Sequence, residues 1–338
     1  MKTNQIFASF AAALFLSACG GGGSIPALVI PPKVTPGDLQ LTVPAPPFAV
    51  GSDQLAAFNY INDLRASLGL GLLAYSETLA KASQNHANYV VTNSSGGDYH
   101  VEIATNPGFT GVNPGDRARF AGYATNYANE NGVSSNHFLG GMQRLMETIY
   151  HRDTFINQSY RDIGFSAQSI PCASCNGALI VNVNLASMKP QRNASDFVLM
   201  YPRDGQTNVN LSMGSETPNP FPEIKIPNFP EPLTPENNPF NLIGFPITFA
   251  VEASQVLTIT SFTTYEDGQA MSLPAWLHTA ATDPNHHVQP NTAYLTAKGK
   301  LKPNTTYKVS FIGSANGKDV SRTWRFTTAS QQTYPVND

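Results

Sequence analysis

The chain has 338 residues, of which 41% are hydrophobic and 13% charged, and a formal net charge of -3. That balance offers no basic patch of the kind that holds a phosphate backbone, which argues against nucleic acid as a partner. The length is enough for two domains of ordinary size, each able to bury a core.

Lys2 makes the amino terminus positive, and residues 6–16 are an apolar run rich in Ala, Phe and Leu. The run is too short for a permanent membrane helix, which needs about 20 residues, so it reads as a signal peptide. Its end, Leu16-Ser17-Ala18-Cys19, resembles the bacterial lipobox. That resemblance implies removal of residues 1–18, acylation of Cys19 and a membrane as the first partner. With Gly20 rather than Asp after the Cys, it also implies a lipid anchor in the outer membrane, facing the periplasm or the surface. Residues 19–51 hold a Gly/Ser stretch followed by Pro26, Pro31, Pro32, Pro36, Pro44, Pro46 and Pro47, the composition of a flexible and then semi-rigid tether.

Residues 52–190 read as a first domain. Ser52 or Asp53 caps a helix whose apolar face is Leu55, Phe58, Ile61 and Leu64, closed by Gly69 and Gly71. Ser76 opens a second helix with Leu79, Ala82, His86 and Val90 on one stripe, where His86 is read as a packed residue and not a ligand. A short helix beginning around Asp116 and Arg117 follows, with the acid favouring the helix start. A further helix is expected over residues 141–151, and strands over 161–168 and 178–187. With Cys19 assigned to lipid, Cys172 and Cys175 remain as a pair flanked by turn residues, read as a short-loop disulfide of an oxidising compartment.

These residues carry a resemblance. Phe58-Asn59-Tyr60-Ile61-Asn62-Asp63-Leu64-Arg65, then Leu79, Ala82 and His86-Ala87, then Tyr99-His100, Gly115-Asp116-Arg117 and Ala121-Gly122-Tyr123 stand in order. Asn129-Glu130-Asn131-Gly132-Val133 and Tyr150-His151-Arg152 with Asp162-Ile163-Gly164-Phe165 follow them. The ordered set resembles the CAP superfamily of cysteine-rich secretory, antigen 5 and pathogenesis-related proteins, the SCP-like domain. The resemblance implies an α-β-α sandwich with a cleft of two His and two acidic residues, and in several relatives a divalent metal. Matched motif by motif, His100, Glu130 and His151 become the candidate metal ligands, zinc being the metal that suits them best. Glu147 is the candidate fourth group, because four residues before His151 on one continuous helix the two would share a face about 5–6 Å apart. Glu102, two residues after His100, is held in reserve, and His137 is read as an exposed turn residue.

Residues 191–330 change character. Short β-rich runs at 197–201, 209–213, 247–251, 256–262, 293–297, 307–312 and 323–328 are separated by Pro, Gly, Asn or Asp. Tyr307, Val309 and Phe311 alternate with polar residues, as do Trp324 and Phe326, the pattern of an antiparallel sandwich with one wet face. Turn sequences such as Tyr201-Pro202-Arg203-Asp204-Gly205 resemble bacterial immunoglobulin-like modules. Residues 214–244 are a Pro-rich insertion expected to pack over the sandwich or against the first domain. His278, His286 and His287 are placed in loops.

The fold class expected is therefore α+β, a CAP-type α-β-α domain followed by an all-β immunoglobulin-like sandwich. Three functions stay open. One is a cleft with a divalent-metal site that binds a lipid, peptide or cell-envelope ligand. Another is a hydrolase of a peptide or cell-envelope polymer with His100, Glu130, Glu147 and His151 in acid/base roles, although Gly-x-Ser-x-Gly and His-Glu-x-x-His motifs are both missing. The third is a structural or adhesion protein with an inert cleft.

Overall fold

The computed structural model describes residues 36–93, 99–125, 127–171, 177–214, 216–225, 234 and 238–333. The expected leader, Cys19, the first part of the tether and the Cys172/Cys175 pair lie outside these residues. No helix among the described residues is long and apolar enough to cross a membrane.

Ser52 accepts from the Leu55 amide and starts α1 (Asp53–Ser67). Its short hydroxyl satisfies one of the amides a helix start leaves unpaired. After β1 (Ala74–Tyr75), the Leu79 amide donates to Ser76 Oγ at the head of α2 (Glu77–Asn93). α3 (Pro114–Ala121) opens on a reciprocal Asn113/Asp116 capping box, so Asp116 has the capping role read from the sequence. Then come β2 (Ala128–Ser135), α4 (Phe138–Met146), α5 (Tyr150–Ile156), β3 (Asp162–Ser169) and β4 (Leu179–Ala186).

The first sheet has the order β1-β3-β4-β2, with β1 parallel to β3 and the other pairs antiparallel. Helices cover both faces, because β4 alternates apolar contacts on each side. Val181, Val183 and Leu185 share a core with Phe58, Ile61, Met142, Leu145 and Phe155 from α1, α4 and α5. Ile180 packs with Ala87 and Val90 of α2, and Ala186 with Leu79 of α2 and Ala118 of α3. The α2 layer lies very close to the sheet: a Cβ on Gly164 would stand 2.2 Å from the Ala80 amide nitrogen. Ser83 uses that proximity to donate to the Gly164 carbonyl at 3.0 Å.

Past residue 190 the elements are β5 (Val198–Tyr201), β6 (Gln206–Val209), the short α6 (Pro239–Leu242), β7 (Ile247–Val251), β8 (Leu257–Glu266), β9 (Ala275–Thr279), β10 (Thr292–Ala297), β11 (Thr306–Ala315) and β12 (Lys318–Thr328). They form two four-stranded sheets, β5-β7-β10-β9 and β6-β12-β11-β8. The sheets close on each other through Phe249 of β7, which stacks on Phe311 of β11 with centroids 3.6 Å apart. The fold class is thus the expected one, an α-β-α layer domain followed by a β-sandwich.

Several local expectations differ. The helix over 141–151 breaks into α4 and α5 at residues 147–149. The strand over 209–213 is displaced: β6 precedes it, and beyond Val209 only an isolated bridge from Ser212 to Gly244 remains. β9 was not anticipated, and it carries His278, which is a buried strand residue bonded to the Pro220 carbonyl and not a loop residue. Part of the expected tether is packed: Gln40 donates to the Leu72 and Arg161 carbonyls, and Phe48 lies against Tyr75 and Phe165.

The described residues form one compact unit, and one hydrophobic cluster runs from Phe58 and Val183 through to Phe249 and Trp324. Arg152 fastens the two architectures. Wholly buried, it donates from Nε to the Met146 carbonyl at 2.7 Å and from Nη1 to the Pro246 carbonyl at 2.6 Å. Its guanidinium lies 4.7 Å and 4.8 Å from the Tyr201 and Phe245 ring centroids, where a cation meets the negative face of a ring.

Candidate functional site

The edge strand β2 builds the site. Successive side chains of a strand point to opposite faces, and Glu130 and Asn131 use this alternation. Glu130 points to the α2/α3 side, where its Oε1 lies 2.9 Å from Arg117 Nη2, 3.3 Å from His86 Nε2 and 3.2 Å from His100 Nδ1. Asn131 points to the other side and donates to the His151 carbonyl at 2.9 Å. His100, from the loop after α2, and His151, from α5, thereby meet around the sheet edge with ring centroids 6.3 Å apart.

Behind His100 lies a buried network. His86 is 1% exposed, with Nδ1 2.9 Å from Glu102 Oε1 and Nε2 2.7 Å from the Tyr99 carbonyl. Glu102 in turn accepts from the Thr110 and Gly111 amides. His86 is the packed, bonded residue expected, and Glu102 lies in the layer behind the cleft. Burial pushes the Glu130 carboxyl up, but Arg117, His86 and His100 outweigh it and bring it down to about 2. Glu130 is therefore an anion whose side chain is wholly buried.

His151 has a different support. Its Nδ1 lies 2.8 Å from Glu216 Oε1 and 2.9 Å from Thr148 Oγ1. Glu216 comes from the Pro-rich insertion, and it also accepts from the amides of Ile149, Tyr150 and His151 at 2.9, 2.9 and 3.0 Å and bonds the Thr148 side chain. Burial opposes its charge, yet the bonds from His151 hold its carboxyl below the usual range. The cavity between the two imidazoles measures about 250 Å³ and is walled by Tyr99, Gly132, Val133, Leu145, Thr148 and Thr217. Arg144 stands at its rim and donates to the Ser134 carbonyl at 2.9 Å.

Of the four expected site residues, the structure brings together His100, Glu130 and His151. Glu147 is not with them. The break after Met146 turns it away into a separate cavity of about 190 Å³ with Tyr60, Gln143 and Tyr201, where Asn210 donates to it and burial lifts its carboxyl to about 7. The shared-face geometry needs an unbroken helix, and the chain does not supply one. Glu216 is the second carboxylate beside the imidazole pair, 65 residues beyond His151 in sequence, with no local signal to mark it. Arg117 was legible as part of a motif but not as the partner of Glu130. His137 is exposed, as expected, and His286 and His287 are exposed turn residues.

His100 and His151 are the two groups here that could hold a metal. With Nδ1 of each ring against a carboxylate, each would coordinate through Nε2, and the carboxylates would orient the rings from behind. Glu130 Oε1 is committed to Arg117, His86 and His100, while its buried Oε2 has no hydrogen-bond partner among the described residues. Among the described residues no group of three His, Cys, Asp or Glu side chains is placed to hold an ion.

The profile of the CAP, cysteine-rich secretory protein, family matches residues 58–178. Among solved structures, an outer surface protein from Borrelia burgdorferi is similar with a TM-score of 0.34 and 19% identity, over 42% of this chain and 97% of that one. An extracellular protein containing a SCP domain from Bacillus anthracis str. Ames has a TM-score of 0.32 and 18% identity, over 38% of each chain. No curated protein matches the sequence.

Proposed function

From the premise that residues 58–178 are a domain of the cysteine-rich secretory protein family, we propose that this chain is an exported lipoprotein that binds a ligand between His100 and His151. Cys19 is its lipid anchor and the outer membrane its place. The observation that carries this reading is the facing imidazole pair, each ring with Nδ1 against a wholly buried carboxylate, above a cavity of about 250 Å³. Fixing two rings from behind in this way stabilises a site more than a surface, and the exposed Tyr99, Val101 and Ile103 of the His100 loop add apolar area beside it.

His100 and His151 are the residues that would hold a divalent ion, zinc first, with water or ligand completing its shell. Such an ion would supply a positive centre for a headgroup, a carboxylate or a carbonyl. Tyr99, Val133 and Leu145 offer apolar contact, and Arg144 a cation at the rim. A lipid, a peptide or a cell-envelope fragment with an acidic end suits that lining.

One observation favours a second reading. A carboxylate-held imidazole such as Glu216–His151 is also the arrangement of an oriented general base, which suits a hydrolase of peptide or cell-envelope polymer. Binding is preferred because the sequence adds no nucleophile motif.

The test is a calorimetric zinc titration of residues 34–338, comparing the wild type with His100→Ala and His151→Ala. One equivalent bound by the wild type and lost in both variants supports the site. Equal heats from all three proteins remove the metal from this reading. Turnover of envelope peptides that vanishes in both variants would replace binding by hydrolysis.

A further inference from the structure

The carboxylate behind His151 does not come from the domain that carries the imidazole. We propose that Glu216 is a positioning residue which fixes His151 in the Nδ1–H form, and that the cleft is consequently a composite site completed by the sandwich. This rests on the reading of the His100/His151 cleft given above.

Three observations converge. First, α5 begins without a side-chain cap of its own: Ile149 precedes it, and the first amides would be left without acceptors. Glu216 accepts from the Ile149, Tyr150 and His151 amides, so one carboxylate both starts the helix and reaches the ring at its second residue. Second, both oxygens of Glu216 already accept from backbone amides, Oε2 from Ile149 and Oε1 from Tyr150 and His151, so the carboxylate faces the ring as an acceptor. The 2.8 Å approach of His151 Nδ1 therefore places the ring proton on Nδ1 and leaves Nε2 as the basic atom. Third, the segment bearing Glu216 is moored to the sandwich. Phe221 is wholly buried, with ring centroids 4.7 Å from Trp276 and 5.0 Å from His278 of β9. His278 Nε2 lies 2.7 Å from the Pro220 carbonyl, and Asn285 donates to the Asn219 carbonyl at 2.9 Å.

The matched family segment ends at residue 178, so this support lies outside it. His100 is oriented from within the α-β-α layer through Glu130, whereas His151 is oriented from the second architecture. A displacement of residues 216–225 from the sandwich would release one ring and leave the other in place.

Thr148 Oγ1 also lies 2.9 Å from His151 Nδ1, and the experiment separates the two groups. On residues 34–338 without metal, the ¹⁵N shifts of the His151 ring report which nitrogen carries the proton, while thermal melting reports the fold. The wild type and Thr148→Val are expected to show the Nδ1–H form. Glu216→Ala is expected to lose it to a mixture of tautomers, and Glu216→Gln, whose amide oxygen still accepts, to retain it. Phe221→Ala, which loosens the mooring and leaves the carboxylate intact, is expected to move His151 toward the mixture without moving His100. Zinc affinity in Glu216→Ala should fall by about 10–100-fold, the usual effect of losing a group that orients a ligand. An Nε2–H ring in the wild type overturns the proposal, as does a tautomer lost in Thr148→Val and kept in Glu216→Ala. Because the ring shifts are read without metal, they stand even where zinc fails to bind at all.

Discussion

Glu130 and Asn131 are neighbours on β2 that work on opposite faces of the sheet. Glu130 holds the His100 ring at 3.2 Å, and Asn131 donates to the His151 carbonyl at 2.9 Å. The pleat of a single edge strand thus spaces two imidazoles, one delivered by the loop after α2 and the other by α5. Asn131→Ala should leave the His151 carbonyl without this donor and cost about 1–3 kcal/mol. It should also weaken zinc binding while the His100 environment, followed by NMR, stays unchanged. Urea unfolding together with the zinc titration checks both halves.

Glu130 makes stability depend on acid. Its carboxyl sits at about 2 against an ordinary 4.5, so the folded state prefers the anion. That contribution is fully present above the unfolded value and is lost as pH falls through the window from 4.5 to 2. The difference in urea midpoint between the wild type and Glu130→Gln should shrink steadily across that window. A difference that stays constant with pH would show that the anion is not what stabilises the network.

Glu147 has the opposite sign. Burial lifts its carboxyl to about 7 from 4.5, so the folded chain keeps a proton that the unfolded chain gives up. The resulting stabilisation is complete below 4.5 and disappears as pH rises through about 7. Glu147→Gln should match the wild type in acid and exceed it at alkaline pH by roughly 1–3 kcal/mol. Denaturation midpoints measured on both proteins across this range decide the matter.

Gly164 sets the distance between α2 and the sheet. A Cβ there would meet the Ala80 amide nitrogen at 2.2 Å and Leu79 at 2.5 Å. Gly164→Ala should therefore destabilise by at least the ~1–3 kcal/mol of an overpacked core. Gly132→Ala is the control, since its Cβ would find nothing nearer than Tyr99 at 3.5 Å and should cost little. Thermal melts of the two variants should differ by several degrees.

Arg152 joins the layer domain to the sandwich through planar, directed bonds to the Met146 and Pro246 carbonyls. A lysine keeps the charge but not the fork or the stacking between Tyr201 and Phe245. Arg152→Lys should therefore lose about 2–4 kcal/mol, the scale of a carbonyl left unpaired and a buried charge poorly held. Urea unfolding that matches the wild type would argue against the joint.

Much of the first domain is written locally. Ser52, Ser76 and the Asn113/Asp116 box mark helix starts because capping is a contact over three residues. β3 and β4 were visible as strand runs, and the ordered motifs brought His100, Glu130 and His151 to one place. In the sandwich, the alternation of Tyr307, Val309 and Phe311 announced β11. β9 was not visible, because Ala275 to Thr279 is too short and too mixed to show a period.

What the sequence determined by itself was the class of fold, the starts of α1 and α2 and three of the cleft residues, all of which depend on short-range bonds or on motifs contiguous in the chain. The tertiary structure decided the fourth. A shared face for Glu147 and His151 needs one continuous helix, but α4 ends at Met146 and the turn carries Glu147 into another cavity. Glu216 takes the place because a Pro-rich segment, held by Phe221 against β9, brings a buried carboxylate to the open amides of α5. A contact across 65 residues has no period or spacing to reveal it. It exists only once two separately patterned architectures have packed on each other.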